Sequence, residues 1–352
     1  MIGEEKVYDS VNILFNADLR QWTEHRPSAL YFVEQPELRG TFLTINGTDR
    51  WGFLIHSLSE YGYKPGEFTP ERCKALIRQA VGIPDLAVSV LGVSAWEASA
   101  IVAERYRDGA VFLTGDAAHE MPPTGGFGLN TGVQDVHNLM WKMAAVIHGQ
   151  ADEALLDSYH AERQPLAEII TRAALANAMS MGRTMRQSSA VLPRREFLNE
   201  RGLIFGLCYE SMAVIADGSP PVEVTDAVTE YVPSARPGSR APHVWLRRGS
   251  EQLSTIDLFG PHFTLLAGRH GDAWRAAVDQ TEPSRLPVIG FTIGKDLIDP
   301  DGHWHEAYGV ETDGAVLVRP DGYVAWRSRS GCSEPRAILR VAFNSLLGRI
   351  RR

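Results

Sequence analysis

Between residues 111 and 147 the chain constrains its own geometry more tightly than anywhere else. Val111, Phe112 and Leu113 form a short apolar run bounded by Gly109 and Gly115, which predicts a buried strand. Asp116 follows at the strand end, and Pro122 and Pro123 fix φ and stiffen the loop after it. Gly125, Gly126 and Gly128 remove side chains where another group must approach the backbone closely. Leu129, Val133, Val136, Met140, Met143 and Ile147 then recur at alternating spacings of four and three, one face of a helix of about five turns. The order is strand, acid, rigid loop, glycine cluster, helix N-terminus. It leaves the N–H groups of Leu129 and Asn130, and a positive dipole end, available to an anionic ligand atom. Asp116 is placed to accept hydrogen bonds from the hydroxyls of a sugar or sugar alcohol; the alternative is a strand-end residue that caps the following turn.

The flanking text is a mixture of short strands and helices. Strands are predicted over 28–33, 40–45 and 50–58, with a hairpin connection at Asn46-Gly47-Thr48-Asp49, because Asn-Gly tolerates the positive φ of tight turns. Thr69 caps a helix predicted over 69–81, Pro70 suits its first turn, and Gly82 ends it. Helices are expected over 152–163 and about 166–181, broken at Pro165. Residues 183–240 read as a connector. From residue 241 strands and helices alternate, with strands over 262–267, 288–293, 315–319 and 323–326, a turn at Asp321-Gly322, and a last helix over 334–347. No internal repeat is visible.

The chain has 352 residues, room for two domains with substantial cores. Its formal net charge of −8 gives no general electrostatic reason to bind nucleic acid or an anionic membrane surface. No apolar run reaches membrane-spanning length, and there is no signal-like N-terminus. Cys73, Cys208 and Cys332 are far apart, without a CxxC pair, so neither a metal site nor a dithiol centre is suggested and a cytoplasmic location fits.

The run Gly115 to Asp135, GDAAHEMPPTGGFGLNTGVQD, resembles the second flavin-binding motif of the FAD-dependent aromatic hydroxylases, the family of para-hydroxybenzoate, phenol and polyketide hydroxylases. About twenty contiguous positions with fixed acid, proline and glycine placement make this far more specific than a lone GxGxxG. The resemblance extends to residues 12–22 and 49–53, similar to substrate-domain strands, to NLMWKMA (138–144) and YHAERQP (159–165), and to 257–260 and 317–327, similar to a thioredoxin-like C-terminal domain. It implies an α/β plus α+β chain in three parts. Residues 1–182 carry the substrate-domain sheet and the C-terminal part of the FAD-binding domain, 183–240 connect, and 241–352 form a thioredoxin-like domain without CxxC. Gly115, Asp116, Pro123, Gly125, Gly126, Gly128, Leu129 and Asn130 would bind FAD, and Trp51, Phe53 and Pro122 are candidates for the wall of an aromatic substrate cavity. For Trp51 and Phe53, ordinary core packing is the equal alternative.

By resemblance the activity would be an NAD(P)H-dependent monooxygenase that transfers oxygen from O₂ to an electron-rich phenolic or polycyclic ring, with no catalytic side chain required. His119 reads as a loop histidine rather than an acid-base group, Asp135 as a partner for a neighbouring loop, and Arg163 and Arg319 as structural ion-pair residues. The family's opening GxGxxG unit, which seats the FAD pyrophosphate, does not precede residue 111. The expectation is an N-terminally truncated chain, or one that meets its missing half as a separate polypeptide or assembles as a homodimer, and that alone binds FAD weakly or not at all. A non-catalytic remnant or partner subunit is the alternative. A thioredoxin-like redox protein is a third, which the absence of paired cysteines opposes.

Overall fold

A computed structural model describes residues 1–180, 200–279 and 287–349 of the chain. The first half runs β1 (Ile2–Asn16), α1 (Arg20–Thr23), β2 (Leu30–Gln35), β3 (Leu38–Thr44), β4 (Arg50–His56), α2 (Pro70–Val81) and β5 (Ser89–Val102). Next come β6 (Arg107–Asp108), β7 (Val111–Phe112), a 3₁₀ turn at Gly115–Ala117, β8 (His119–Glu120), α3 (Phe127–Ile147) and α4 (Asp157–Ser180). The remainder is α5 (Arg201–Phe205), β9 (Trp245–Arg248), β10 (Glu251–Ser254), β11 (Phe263–Ala267), α6 (Asp272–Asp279), β12 (Val288–Thr292), α7 (Trp304–Tyr308), β13 (Ala315–Val318), β14 (Val324–Ser328) and α8 (Pro335–Leu346).

Two compact units result, and neither is continuous in sequence. One holds Met1–Val102, His119–Gly128 and the end of α4 from Thr171; the other holds Ala103–Ala118, Leu129–Ile170 and the C-terminal residues. Division by packing thus differs from the division at 182 and 240 expected from the sequence.

The first unit is built on a six-stranded sheet in the order β2-β3-β4-β1-β5-β8. Its hairpin turn forms as Asn46 implies: the side-chain carbonyl of Asn46 accepts the N–H groups of Thr48, Asp49 and Arg50, and Gly47 takes φ +73°. Alternation sets the two faces. Val11, Ile13 and Phe15 of β1 face the same side as Ile55, Phe53 and Trp51 of β4, their register partners. This side is closed by Cys73, Leu76 and Ile77 of α2. Thr69 caps α2 by accepting the N–H of Arg72, and Gly82 ends it at φ +76°.

In the second unit, the C-terminal sheet has the order β12-β11-β13-β14. Strands β11 and β12 are parallel, whereas β13 is antiparallel to both β11 and β14. Both faces of this sheet are covered, and β11 and β13 are buried throughout. Phe263, Leu265 and Leu317 pack with Trp274 of α6 and Phe343 of α8, while Leu266, Val316 and Val318 pack with Trp304 and Tyr308 of α7.

Three local expectations are corrected. Pro165 does not break the helix: α4 runs through it from Asp157 to Ser180. An interior proline costs roughly 3 kcal/mol, and here Leu166, Ala167, Ile170 and the ion pairs of Glu162 and Arg163 are all buried beside it. The apolar run at 111–113 is not a buried strand either. Strand β7 covers only Val111 and Phe112, pairs with β6 alone, and leaves Val111 63% exposed. The third concerns α3, whose apolar stripe would ordinarily face a core. Leu129 is 82% exposed, Val133 59% and Ile147 74%, whereas Thr131, Asp135, Asn138 and Lys142 are buried.

Candidate functional site

The acid-bearing turn is held from several sides. The N–H of Leu113 donates to the carbonyl of Tyr106 at 3.0 Å, and the Tyr159 hydroxyl donates to the carbonyl of Leu113 at 2.6 Å. Gly115, at φ +58°, donates its N–H to the Asp135 carboxylate at 3.3 Å. Gly132 makes room for this approach, since a Cβ there would come 3.1 Å from the Gly115 Cα. The Ala118 N–H closes the turn on the carbonyl of Gly115 at 2.8 Å. Asp116 is left on its outer side, exposed.

The proline–glycine loop belongs to the first unit. It leaves β8, whose residues His119 and Glu120 pair with Val102 and Ile101 at the edge of the sheet. Pro122 is buried and Pro123 exposed. The hydroxyl of Thr124 donates to the carbonyl of Ala174 at 2.8 Å, and the Asn177 amide donates to the carbonyl of Thr124 at 3.4 Å, pinning the loop to the end of α4. Gly125, at φ +104°, has no room for a Cβ, which would lie 2.4 Å from the Phe127 ring. Gly126, at φ +70°, and Gly115 both face open space where a Cβ would be.

Helix α3 starts immediately after these glycines. The first N–H groups of any helix lack a partner inside it, and here the helix opens at Phe127, Gly128 and Leu129. The first turn contains no acid to offset the positive end of the helix dipole. An exposed carboxylate and a helix start without an acid in its first turn are each suited to polar ligand atoms.

The sheet face opposite α2 carries a set of polar and aromatic groups that the sequence did not single out. Ser10 and His56 are register partners, and the Ser10 hydroxyl lies 2.7 Å from His56 Nδ1. Trp96 Nε1 donates to the Asn12 side-chain carbonyl at 2.9 Å. Tyr8 meets the rings of His56 and Trp96 edge-on, at 5.7 and 6.0 Å. Leu14, Leu30 and Phe32 are exposed farther along the sheet. The signal available in the sequence was the alternation Tyr8, Ser10, Asn12, Leu14, opposite in phase to Val11, Ile13, Phe15. By contrast Trp51 and Phe53, candidates for a cavity wall, are core residues. Phe53 stacks on Phe42 at 4.3 Å, Trp51 meets Tyr31 at 5.9 Å, and neither presents appreciable surface to a ligand.

The second unit contains a buried ion quartet. Glu162 receives both Arg319 Nη1 and Nη2, at 2.6 and 2.9 Å, and Lys142 Nζ at 2.7 Å; Arg319 also pairs with Asp321. Ser211, Asn138 and Trp141 donate to the two carboxylates. Burial pushes the Glu162 carboxyl up, but Arg319 and Lys142 outweigh it and hold the group well below the usual range. Burial draws the Lys142 ammonium down to about 8, against the attraction of Glu162. These residues and the Arg163–Asp135 pair, at 2.8 Å, are structural ion pairs, as Arg163 and Arg319 were read. Among the described residues no group of three or more His, Cys, Asp or Glu is arranged to hold a metal ion. No described helix is long and apolar enough to cross a membrane.

Comparison with known proteins places the chain in a family. Residues 1–174 match the FAD binding domain family, and residues 234–349 match the aromatic-ring hydroxylase C-terminal family. An aklavinone 12-hydroxylase of Streptomyces purpurascens is 39% identical over 99% of this chain and 64% of its own length. A putative polyketide hydroxylase of Streptomyces coelicolor is 33% identical over 99% of this chain and 67% of its own length. The crystal structure of aklavinone-11 hydroxylase with FAD and aklavinone superimposes with a TM-score of 0.88 at 37% identity, covering 99% of this chain and 64% of that one. The chain therefore spans about two thirds of the length of these relatives.

Proposed function

This chain belongs to the family of FAD-dependent aromatic-ring hydroxylases, and from that premise we propose that it forms the flavin-covering and substrate-binding part of a polyketide-type aromatic monooxygenase. The observation that carries the reading is the segment from Gly115 to Asn130, with its exposed Asp116, open glycines and uncompensated helix start. FAD, when bound, would supply the oxygen-transfer chemistry, with NAD(P)H as reductant and O₂ as oxidant.

The chain's own residues supply binding, orientation and charge stabilisation. Asp116 would accept hydrogen bonds from the ribityl hydroxyls. The N–H groups of Leu129 and Asn130 would face the N1–C2=O2 edge and stabilise negative charge there. Gly115, Gly125, Gly126 and Gly128 would let the ring system approach the backbone, and Pro122 and Pro123 would border the reacting ring and keep water from it. The sheet face of Asn12, Leu14, Leu54 and Trp96 would receive the polycyclic substrate, with Ser10 and His56 as its polar end. The C-terminal sheet, parallel in β11 and β12 and antiparallel in β13 and β14 with helices on both faces, supports the thioredoxin-like assignment. Without CxxC its role is structural.

The apolar stripe of α3 supports a further element of this reading: the working enzyme includes a nucleotide-binding βαβ unit that covers Leu129, Val133, Val136, Met140 and Ile147. A cytoplasmic location stays part of the proposal.

The test is a titration of the purified chain with FAD, followed by flavin fluorescence, alone and with a separately expressed GxGxxG-bearing segment of the aklavinone hydroxylase relative. Saturable uptake that Asp116→Ala weakens about tenfold, the loss of a charge-assisted hydrogen bond, is expected. Absence of uptake in both arrangements would sink the proposal.

A further inference from the structure

Asp135 sits on the buried side of α3 with no solvent exposure, yet its two oxygens are spent on two different parts of the chain. Oδ2 accepts the N–H of Gly115, the residue before Asp116, at 3.3 Å, and Oδ1 accepts Arg163 Nε at 2.8 Å. The Arg163 guanidinium is divided in the same way. Its Nη2 donates to the carbonyl of Thr131 at 3.2 Å, and its Nη1 reaches the Tyr209 hydroxyl at 3.1 Å and the Gln134 side-chain carbonyl at 3.2 Å. Tyr209 stacks on Tyr323 at 4.0 Å and 25°, and Tyr323 follows the Asp321-Gly322 turn between β13 and β14. The Arg319 guanidinium lies 5.3 Å from the Tyr209 ring centroid, so the ion quartet abuts the same stack.

An unbroken series of contacts, buried at Tyr209, Arg163 and Asp135, thus runs from the β13–β14 turn through Tyr323 to the backbone of Gly115. We infer that Asp135 and Arg163 are positioning residues for the Asp116 turn, and that the Tyr209–Tyr323 stack ties that turn to the C-terminal sheet. The assignment rests on the flavin reading for its purpose and on the contacts above for its mechanics. The hydrogen bond to Gly115 sets where the Asp116 carboxylate stands, and in this geometry Gly115 and Arg163 each take a different oxygen of Asp135. An amide at position 135 would turn its NH₂ toward one of the two donors and lose that bond. Tyr209 contributes by fixing the guanidinium, and a phenyl ring there would keep the stack while losing the hydroxyl.

The deciding experiment is amide hydrogen exchange of the full chain for the wild type, Asp135→Asn and Tyr209→Phe, read at peptides covering 113–118 and at peptides of β11 and β13. Loss of one buried hydrogen bond in the relay predicts about tenfold faster exchange at 113–118 in Asp135→Asn. A smaller rise at the same peptide is predicted in Tyr209→Phe, with β11 and β13 unchanged in both variants. Unchanged exchange at 113–118, or an equal rise throughout the chain, overturns the assignment. FAD affinity is measured on the same three proteins, and it should fall about tenfold in Asp135→Asn. A loosened turn with undiminished FAD affinity would overturn the link to flavin. If the wild type takes up no FAD, the proposed function fails, while the exchange comparison still decides whether Asp135 holds the turn.

Discussion

Arg319 and Glu162 face each other fork to fork, with Nη1 2.6 Å from Oε1 and Nη2 2.9 Å from Oε2, and neither side chain is exposed to solvent. They are separated by 157 residues in sequence, so the pair joins α4 to the C-terminal sheet within one unit. Removing one member of such a pair leaves the other charge buried without its counterion. That typically costs about 3–5 kcal/mol, more than the net worth of the intact pair. Glu162→Gln and Arg319→Met should each lower the unfolding free energy by an amount in that range, read as a fall in the urea midpoint. The double variant should be less destabilised than the two losses added together. Strict additivity would mean that the two groups do not act as a pair.

The same carboxylate predicts an acid limb in the stability profile. Glu162 has its folded value held well below the ordinary 4.5, because Arg319 and Lys142 outweigh the burial that raises it. A depressed carboxyl contributes stability that is complete above its unfolded value and drains away as pH falls through the folded one, since the unfolded chain then binds the proton first. Urea midpoints between pH 3 and 6 should therefore fall more steeply for the wild type than for Glu162→Gln. Parallel curves would contradict the assignment.

How much of this was legible beforehand differs from element to element. Thr69, Pro70, Gly82 and Asn46 act through their own backbone neighbours, and the helix α2 and the hairpin came out where those residues imply. The course of the 115–128 loop was legible for the same reason, because prolines and glycines are read locally. Strands β1 and β5 were not singled out as the long central pair, since each alternates apolar with polar or small residues and resembles loop text until its partner is known. The orientation of α3 was illegible in principle. Burial of Asp135, Asn138 and Lys142 depends on Arg163, Glu162 and Arg319, partners outside α3 that no periodicity reveals. Pro165 misled because a local rule was outweighed by packing that only the fold supplies.

The exposed stripe of α3 gives a test that runs against the usual behaviour of apolar helix positions. Val133→Lys or Met140→Lys in a packed core would cost several kcal/mol, as an unpaired charge deprived of water. Here both side chains are solvent-facing, 59% and 45% exposed, so each variant should stay within roughly 0.5 kcal/mol of the wild type in urea unfolding. Binding of a hydrophobic dye such as ANS should fall in both, and so should capture of the nucleotide-binding segment. A loss above about 2 kcal/mol would place the stripe in a core of this chain after all.

Trp51 and Trp96 stand on opposite faces of one sheet, and their substitution separates packing from ligand binding. Trp51 lies in the closed core against Tyr31, so Trp51→Ala should cost about 3–5 kcal/mol through the cavity it leaves. Trp96 is half-buried and hydrogen-bonded to Asn12 on the face proposed for the polycyclic substrate. Its replacement by alanine should cost less stability than Trp51→Ala. It should also weaken binding of a hydroxyanthraquinone probe about tenfold, the loss of one aromatic contact of about 1.5 kcal/mol. The two measurements are calorimetric unfolding and probe fluorescence, made on the same protein samples. Should Trp51→Ala lose probe affinity at undiminished stability while Trp96→Ala binds normally, the substrate lies on the α2 side and the two faces have been assigned the wrong way round.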